Sequence, residues 1–405
     1  MQKISFVIPT SNNLKYVKNA YLSVTKFAPE HQVIILDDAS TDGTIEWLKE
    51  IDAQVNDPQK FLWFRNDGPR LGHTILYDKG IELAHNEVVS ILHADMYIGP
   101  NYVENALKHL TRKSVVSATR IEPPLHPEGN EKIVRDFGLW PNTFKEQEFL
   151  KFVAEEQERS RSRITQGIFA PWFIYKEDFQ AIGGHDPLFA PFPYEDSDIF
   201  QRFMLAGYRI VQSRDSLVYH LTCRGHKWTD DTNLGQTDDF FKVSEEKARR
   251  NYIRKWQSWI KNDEFHLPII PPRFSIAAII TDVPNVAVLE QLEIWFDSVC
   301  IESDELKEQY IHIEQPKTKY NLSKKIVTDP MHSDLTRADV LVKFSIDKIT
   351  QEDFSNISNM SIILDSLKGS VELGETYEIG NLEVTVRNLT NKVDNILLQH
   401  MFNGV

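Results

Sequence analysis

The sequence predicts an α/β protein, with a mostly parallel central sheet followed by a smaller carboxyl-terminal α/β domain. Three observations carry this reading. Short apolar runs alternate with stretches of helical period through the first third of the chain, the pattern of parallel strands joined by crossover helices. The run Val88-Val89-Ser90-Ile91-Leu92 shows no polar face, as expected of a strand buried on both sides. Residues 266–273, with Pro268, Pro271 and Pro272, form a linker that divides a domain over 1–265 from one over 274–405.

Residues 4–8 read as the first strand and 33–36 as the second. Between them Leu14, Val17, Ala20, Tyr21, Val24 and Phe27 recur at helical spacing. Residues 61–64 give a third strand and 88–92 a fourth, with a helix over 71–84 carrying Leu71, Ile75, Leu76 and Ile81. Residues 115–118 add another strand. From about 121 to 163 the pattern breaks into an insertion, with loops at Pro123-Pro124, Pro127 and Pro141 and a charged helical stretch over 144–163. Residues 169–175, 208–211 and 217–219 read as strands, 199–205 as a helix, and 239–260 as a closing helix rich in Lys and Arg. Beyond the linker, 274–280, 340–344, 361–364 and 382–386 read as strands, and 286–299 and 392–402 as helices.

The 405 residues are 41% hydrophobic and 26% charged, a globular composition long enough for two cores. A formal net charge of -14 disfavours a nucleic-acid surface, which needs clustered cations. It leaves room for an anionic substrate beside a local metal ion. Cys223 and Cys300 make neither a disulfide framework nor a zinc pattern and suit buried thiols in a reducing compartment. The amino-terminal apolar run is too short for a signal peptide, and no stretch is long enough to span a bilayer. These features point to a cytoplasmic protein, with peripheral membrane association left open.

Four polar constellations fall where open α/β sheets bind ligands, at the carboxyl ends of strands. The first is Pro9-Thr10-Ser11-Asn12-Asn13. The second is Asp37-Asp38-Ala39-Ser40-Thr41-Asp42-Gly43-Thr44, where Asp38 or Ser40 can bond a base or ribose. Helix capping by Ser40, Thr41 or Asp42 accounts for part of this motif but not for its paired aspartates. The third is His93-Ala94-Asp95, whose carboxylate suits Mg²⁺ or Mn²⁺. One carboxylate is a thin metal site, so His220, after Leu217-Val218-Tyr219, is the expected further ligand, with His226 the weaker choice. The fourth is Gly183-Gly184-His185-Asp186-Pro187 followed by Pro193-Tyr194-Glu195-Asp196-Ser197-Asp198. Its turns deliver acids to a helix start, where an ionised carboxylate facing a cleft can take a proton from an attacking alcohol. Capping explains one of those acids, not three within four residues. Trp172, Phe173, Tyr175, Phe189, Phe192 and Tyr194 lie near this region, so some can offer a sugar platform while others pack in the core.

Taken in order, these motifs over residues 3–225 resemble the inverting family-2 glycosyltransferases of the GT-A fold. The resemblance implies a nucleotide pocket at Pro9 and Thr10, with Asp38 on the base and Ser40 nearby. It aligns His93-Ala94-Asp95 with the Asp-any-Asp motif, so Asp95 would bind the metal that bridges the donor diphosphate. It makes Asp196 of the Glu195-Asp196 pair the base and puts His185 close to the donor and acceptor sugars; Trp172 and Tyr194 are the aromatic candidates for an acceptor platform. His93 departs from the motif and puts ribose contacts and metal affinity in question, although an imidazole can still bond a ribose hydroxyl. The implied partners are a UDP-, GDP- or dTDP-linked sugar, an acceptor glycan or other hydroxyl compound, and Mn²⁺ or Mg²⁺.

Three rival readings remain at this stage. A retaining transferase would share the donor site without needing a base. A nucleotide-sugar pyrophosphorylase would carry a glycine-rich, Arg/Lys-containing loop after the first strand, which Pro9-Thr10-Ser11-Asn12-Asn13 lacks. A non-catalytic sugar- or nucleotide-binding protein is the third. The carboxyl-terminal domain carries no motif with assignable chemistry, and acceptor binding, self-association or another activity are all open to it.

Overall fold

A computed structural model describes residues 2–222 and 239–397. The chain divides into two compact units, one of Met1–Glu245 with Asn262–Ile269 and one of Glu246–Lys261 with Ile270–Asn403.

The first unit is built on strands β1 (Ile4–Thr10), β2 (Gln32–Asp38), β3 (Phe61–Asn66), β4 (Val88–Ile91), β5 (Met96–Ile98), β6 (Ser114–Glu122), β7 (Lys132–Val134), β8 (Ile164–Thr165), β9 (Trp172–Tyr175) and β10 (Arg209–His220). Their order is β3-β2-β1-β4-β9-β6-β10-β5, with β7 on β6 and β8 on β10. The β3-β2-β1-β4 half is wholly parallel; β9 runs antiparallel to both β4 and β6. Its helices are α1 (Leu14–Phe27), α2 (Thr44–Val55), α3 (Gly72–Leu83), α4 (Tyr102–Leu107), α5 (Glu146–Arg159), α6 (Lys176–Ala181), α7 (Glu195–Leu205) and the opening turns of α8 (Asp239–Trp256).

Alternation along the strands sorts the core into two layers. Ile4, Phe6, Ile8, Val33 and Ile35 pack with Val17, Tyr21 and Val24 of α1. Val7, Ile34, Leu36, Val89 and Ile91 face the other way, onto Leu76 and Ile81 of α3 and Ile199, Phe200 and Phe203 of α7. Helix α3 lies so close to the sheet that a Cβ on Gly80 would sit 2.3 Å from Val7 Cγ1.

Three readings from sequence change. The stretches 208–211 and 217–219 form one strand, β10, whose register against β6 shifts between Ser213 and Leu217, so the polar Arg214–Ser216 break lies within a continuous pairing. Helix α2, expected only as the element that Ser40, Thr41 or Asp42 would cap, spans Thr44–Val55 and buries no more than Thr44, Trp47 and Leu48, a narrow apolar stripe. Pairing of β6 continues beyond Ala118 to Glu122, into what the prolines suggested was already insertion.

The second unit holds β11 (Ile276–Thr281), β12 (Ser298–Cys300), β13 (Ile326–Val327), β14 (Val340–Ser345), β15 (Thr376–Ile379) and β16 (Leu382–Val386), ordered β13-β12-β11-β14-β16-β15. Its first four strands are parallel, and β16 and β15 add an antiparallel hairpin. The expected strand over 361–364 is instead helix Met360–Ser366, with Met360 and Leu364 inward one turn apart and Ile362 outward. The expected helix over 286–299 stops at Leu292, passes through a 3₁₀ turn and becomes β12. Of the helix expected over 392–402, residues 398–402 lie outside the described chain.

Candidate metal and donor site

The carboxyl ends of β1, β2 and β4 meet at a cleft of about 550 Å³ lined by Pro9, Thr10, Asp38, Arg70, His73, Tyr77, His93 and Phe192, among others. Loops after β1 and β2 are stitched together: Asn12 N donates to Ser40 Oγ (2.8 Å), Thr41 N donates to Asn12 Oδ1 (2.7 Å) and Ser11 Oγ donates to the Asp38 carbonyl (3.0 Å). Ser40 thus shapes the cleft floor. Thr10 Oγ1 is buried in the wall and has no hydrogen-bond partner among the described residues.

The adjacent aspartates have separate tasks. Asp37 is buried and takes Arg65 Nη1 at 2.7 Å, while burial pushes its carboxyl up. Asp38 accepts from Asn66 Nδ2 (2.8 Å), Leu71 N (3.0 Å) and Gly72 N (2.8 Å), so it pins the start of α3. Asp42 serves the helix starts, taking Thr44 N (3.2 Å) and Leu14 N (2.8 Å), although the residue at the α2 cap position is Gly43. Gly72 is obligatory: its φ is +77° and a Cβ there would lie 2.1 Å from the Pro191 carbonyl oxygen. Pinned in this way, α3 presents His73 and Tyr77, one turn apart, to the cleft.

His93 and Asp95 follow β4, and His220 ends β10. The antiparallel pairing of β10 with β5 sets His220 opposite Met96, beside Asp95. Ligand atoms of His93, Asp95 and His220 all lie within 4.8 Å of one another, a cluster able to hold a divalent cation. His220 Nε2 is 3.4 Å from Asp95 Oδ1, and His220 Nδ1 is 2.8 Å from Glu122 Oε1. Two imidazoles and one carboxylate suit Mn²⁺ and its transition-metal neighbours better than Mg²⁺, which prefers oxygen. The residues therefore fit the ion, and His93 enlarges the ligand set instead of weakening it. Burial alone would lower the His220 pKa, but Asp95 and Glu122 outweigh it and raise it to about 9.

At the start of α7 three acids part company. Asp198 is fully buried against Arg202 Nε (2.8 Å), whose other nitrogens hold the carbonyls of Ile182 (2.9 Å) and Gly184 (2.7 Å). Glu195 Oε1 meets His73 Nε2 at 2.6 Å, while Oε2 is buried with no hydrogen-bond partner among the described residues. Burial would raise Glu195, yet His73 and the charge of His185 hold it down at about 2. Asp196 goes the other way. Burial, then the Glu195 charge, push it up to about 6. Its Oδ1 accepts from Ser197 N at 2.6 Å.

Asp95 and Asp196 both act on one group, the Tyr77 hydroxyl, which burial and the charges of Glu195, Asp95 and Asp196 push far above its usual range. Neither carboxylate is itself in the lining of the cleft, whose walls come from their neighbours His93, Ala94, His73 and Phe192. His185 is buried, with Nδ1 2.6 Å from Asp78 Oδ1 and its ring on Tyr77. Trp172 is 2% exposed and packed against Phe179, Phe200, Phe203 and His185, so its faces are occupied by protein. Tyr194 is half-buried and donates to Glu245 Oε1 at 3.1 Å. His226 and Cys223 lie outside the described residues; Cys300 is a buried free thiol.

Residues 5–170 match the profile of Glycosyl transferase family 2. Over this stretch the chain is similar to the family-2 glycosyltransferases. The match takes in the first three constellations and ends before Glu195-Asp196 and His220. The domain is 33% identical over 96 residues to the "uncharacterized glycosyltransferase MG060" of Mycoplasma genitalium, covering 23% of this chain and 32% of that protein. It is 26% identical over 117 residues to an uncharacterized glycosyltransferase of Haemophilus influenzae, covering 29% and 45%. The chain thus spans less than half the length of these curated relatives. Among solved structures it is similar to GalNAc-T7 with UDP, GalNAc and Mn²⁺ (TM-score 0.45, 16% identity, 62% of this chain and 48% of that one). It is also similar to the mannosyltransferase PcManGT from Pyrobaculum calidifontis with GDP-Man and Mn²⁺ (TM-score 0.42, 16% identity, 62% and 63%). Among the described residues no helix is long and apolar enough to cross a membrane.

Arg70, His73, Tyr77 and Glu122 were not singled out in the sequence. For His73 and Tyr77 a signal existed: a polar pair at i, i+4 just after a loop that the β2 aspartate had reason to bind.

Proposed function

We propose that the glycosyltransferase domain transfers a sugar from a UDP-, GDP- or dTDP-linked donor to the hydroxyl of a glycan or other acceptor, with inversion. The observation that carries this is the packing of the Tyr77 ring between His93 of the metal-ligand cluster (ring centres 6.4 Å apart) and His73 (5.6 Å), whose Nε2 is 2.6 Å from Glu195, the neighbour of Asp196. Asp196 takes the acceptor proton as the acceptor oxygen bonds to the anomeric carbon, and the bond from that carbon to the diphosphate oxygen breaks. A shifted carboxyl suits the task, being ionised at neutral pH yet a stronger base than an ordinary aspartate. The cation held by His93, Asp95 and His220 would supply positive charge to the departing diphosphate. Arg70, in the lining of the same cleft, adds a fixed positive charge. Thr10 Oγ1 offers a partner to the nucleoside.

The test is a donor screen by thermal shift, with and without Mn²⁺, followed by NMR of the product. A binding nucleotide raises the melting temperature. Retention of anomeric configuration would replace this mechanism with one that needs no base, and the absence of any nucleotide-dependent shift would sink the donor site itself.

A further inference from the structure

Glu122 lies outside every motif, and the geometry around it is more elaborate than a structural acid requires. It ends β6, whose parallel pairing sets Ile121 against Tyr219 and so brings Glu122 beside His220. The side chain is buried, and Oε1 lies 2.8 Å from His220 Nδ1. Arg120 Nη1 reaches the same oxygen at 2.7 Å and Lys132 Nζ reaches Oε2 at 3.2 Å. Arg120 is braced in turn by Glu131 at 3.4 Å and lies 3.8 Å over the Phe169 ring.

We propose that Glu122, with its charge compensated by Arg120 and Lys132, is the positioning residue of the metal site. The argument rests on the metal reading above. A neutral imidazole carries one N–H, and a carboxylate at Nδ1 holds it there. Nε2 then keeps its lone pair and points it to the Asp95 side, 3.4 Å away, where a cation must sit. Without Glu122 the ring is free to carry its proton on Nε2 or to rotate. Burying this carboxylate requires two cations, and His220 is the only one of its partners here that belongs to the cluster. Carboxylate partners of this kind typically change metal affinity 10- to 100-fold when removed.

The experiment measures Mn²⁺ affinity of the full chain by the loss of the free-ion EPR signal. Glu122→Ala should weaken binding roughly 10- to 100-fold. Glu122→Gln, whose amide oxygen still accepts from Nδ1–H, should fall between wild type and Glu122→Ala. Glu131→Gln disturbs the same ionic network through Arg120 without touching His220, and its affinity should stay near wild type. Equal affinities for Glu122→Ala and wild type, or an equal loss in Glu131→Gln, would overturn the proposal. If Glu122→Ala does not fold, histidine ¹⁵N spectra of the wild type with Zn²⁺ decide: His220 protonated at Nδ1 supports positioning, and protonation at Nε2 refutes it. A wild type that takes up no Mn²⁺ would overturn the metal reading first, a result distinct from the others.

Discussion

The two units repeat one piece of topology, with opposite results. In the first, β3-β2-β1-β4 are parallel; in the second, β13-β12-β11-β14 are parallel in the same relative order. Ligand sites in open α/β sheets form outside the carboxyl ends of such strands. In the first unit those ends carry Thr10, Asp38, His93 and Asp95, with Thr10 Oγ1 unpaired and three ligand atoms gathered for a cation. In the second unit they carry Thr281, Asp282 and Ser345, and Asp282 Oδ2 already accepts from Thr281 Oγ1 (3.1 Å) and Ser345 Oγ (2.5 Å). The comparison teaches that topology offers a place, while unsatisfied polar atoms and converging ligands make it a site.

Substituting one acid in each unit should show the difference most visibly. Asp196→Asn is expected to lower turnover by about 10²–10⁴-fold, the usual contribution of a general base, with donor affinity nearly unchanged. Asp282→Asn should leave both unchanged. Steady-state kinetics with donor titration checks this, and near-normal turnover in a folded Asp196→Asn would remove the base from the mechanism.

Buried charge divides in the same way. In the second unit Glu293 accepts Arg254 Nη2 (2.6 Å), Lys325 Nζ (2.5 Å) and Tyr310 Oη (2.7 Å), and Glu314 takes Arg250 Nε (2.8 Å) and Arg254 Nη2 (2.6 Å). This network holds its helices together. Glu293→Ala, which takes the carboxylate from Lys325 and one of two from Arg254, should cost about 3–5 kcal/mol in urea unfolding of the second unit. Nucleotide affinity of the folded protein should not follow. A matching loss of affinity would mean that the network serves the site.

What the sequence revealed, and what it hid, has a physical basis. The strands ending at Thr10, Asp38 and Ile91 were legible because apolar runs stop abruptly at contiguous polar motifs. The same abrupt stops marked Asp95 and His220, which the fold brings together, while Asp196 was marked by turns and an acidic cluster at a helix start. Glu122 was not, since the strand holding it continues through the polar residues Thr119 and Arg120, and pairing with β10 and β7 keeps it extended. The true tasks of Asp37 and Asp198 were equally hidden, because Arg65 and Arg202 meet them through tertiary or helical packing that no local pattern announces. Trp172 looked available to a sugar because its neighbours on α6 and α7 are distant enough in sequence to conceal their packing.

His93 gives a smaller effect with a clear direction. A second carboxylate ligand in its place favours a harder ion, so His93→Asp should raise Mg²⁺ affinity relative to Mn²⁺ by roughly tenfold. Competition between the two ions, followed through the Mn²⁺ EPR signal, measures the ratio. An unchanged ratio would place His93 outside the coordination sphere.

The finest distinction lies within one dipeptide. Glu195 and Asp196 share a helix start, yet His73 keeps the first ionised while burial and the Glu195 charge lift the second to about 6. A base must be deprotonated to act, so kcat/KM should rise with pH through a limb centred near 6 and level above it. Below that limb the rate falls about tenfold per pH unit. Glu195→Gln removes the negative charge that raises its neighbour but leaves the burial, so the limb should move to lower pH without disappearing. Because most Asp196 is already ionised at pH 7, the change at neutral pH is slight and the shift shows only in the full profile. A limb that stays near 6 in Glu195→Gln would mean that burial alone sets the base. A limb that moves upward would mean that His73 loses its charge along with its Glu195 partner and so withdraws a positive charge that holds Asp196 down.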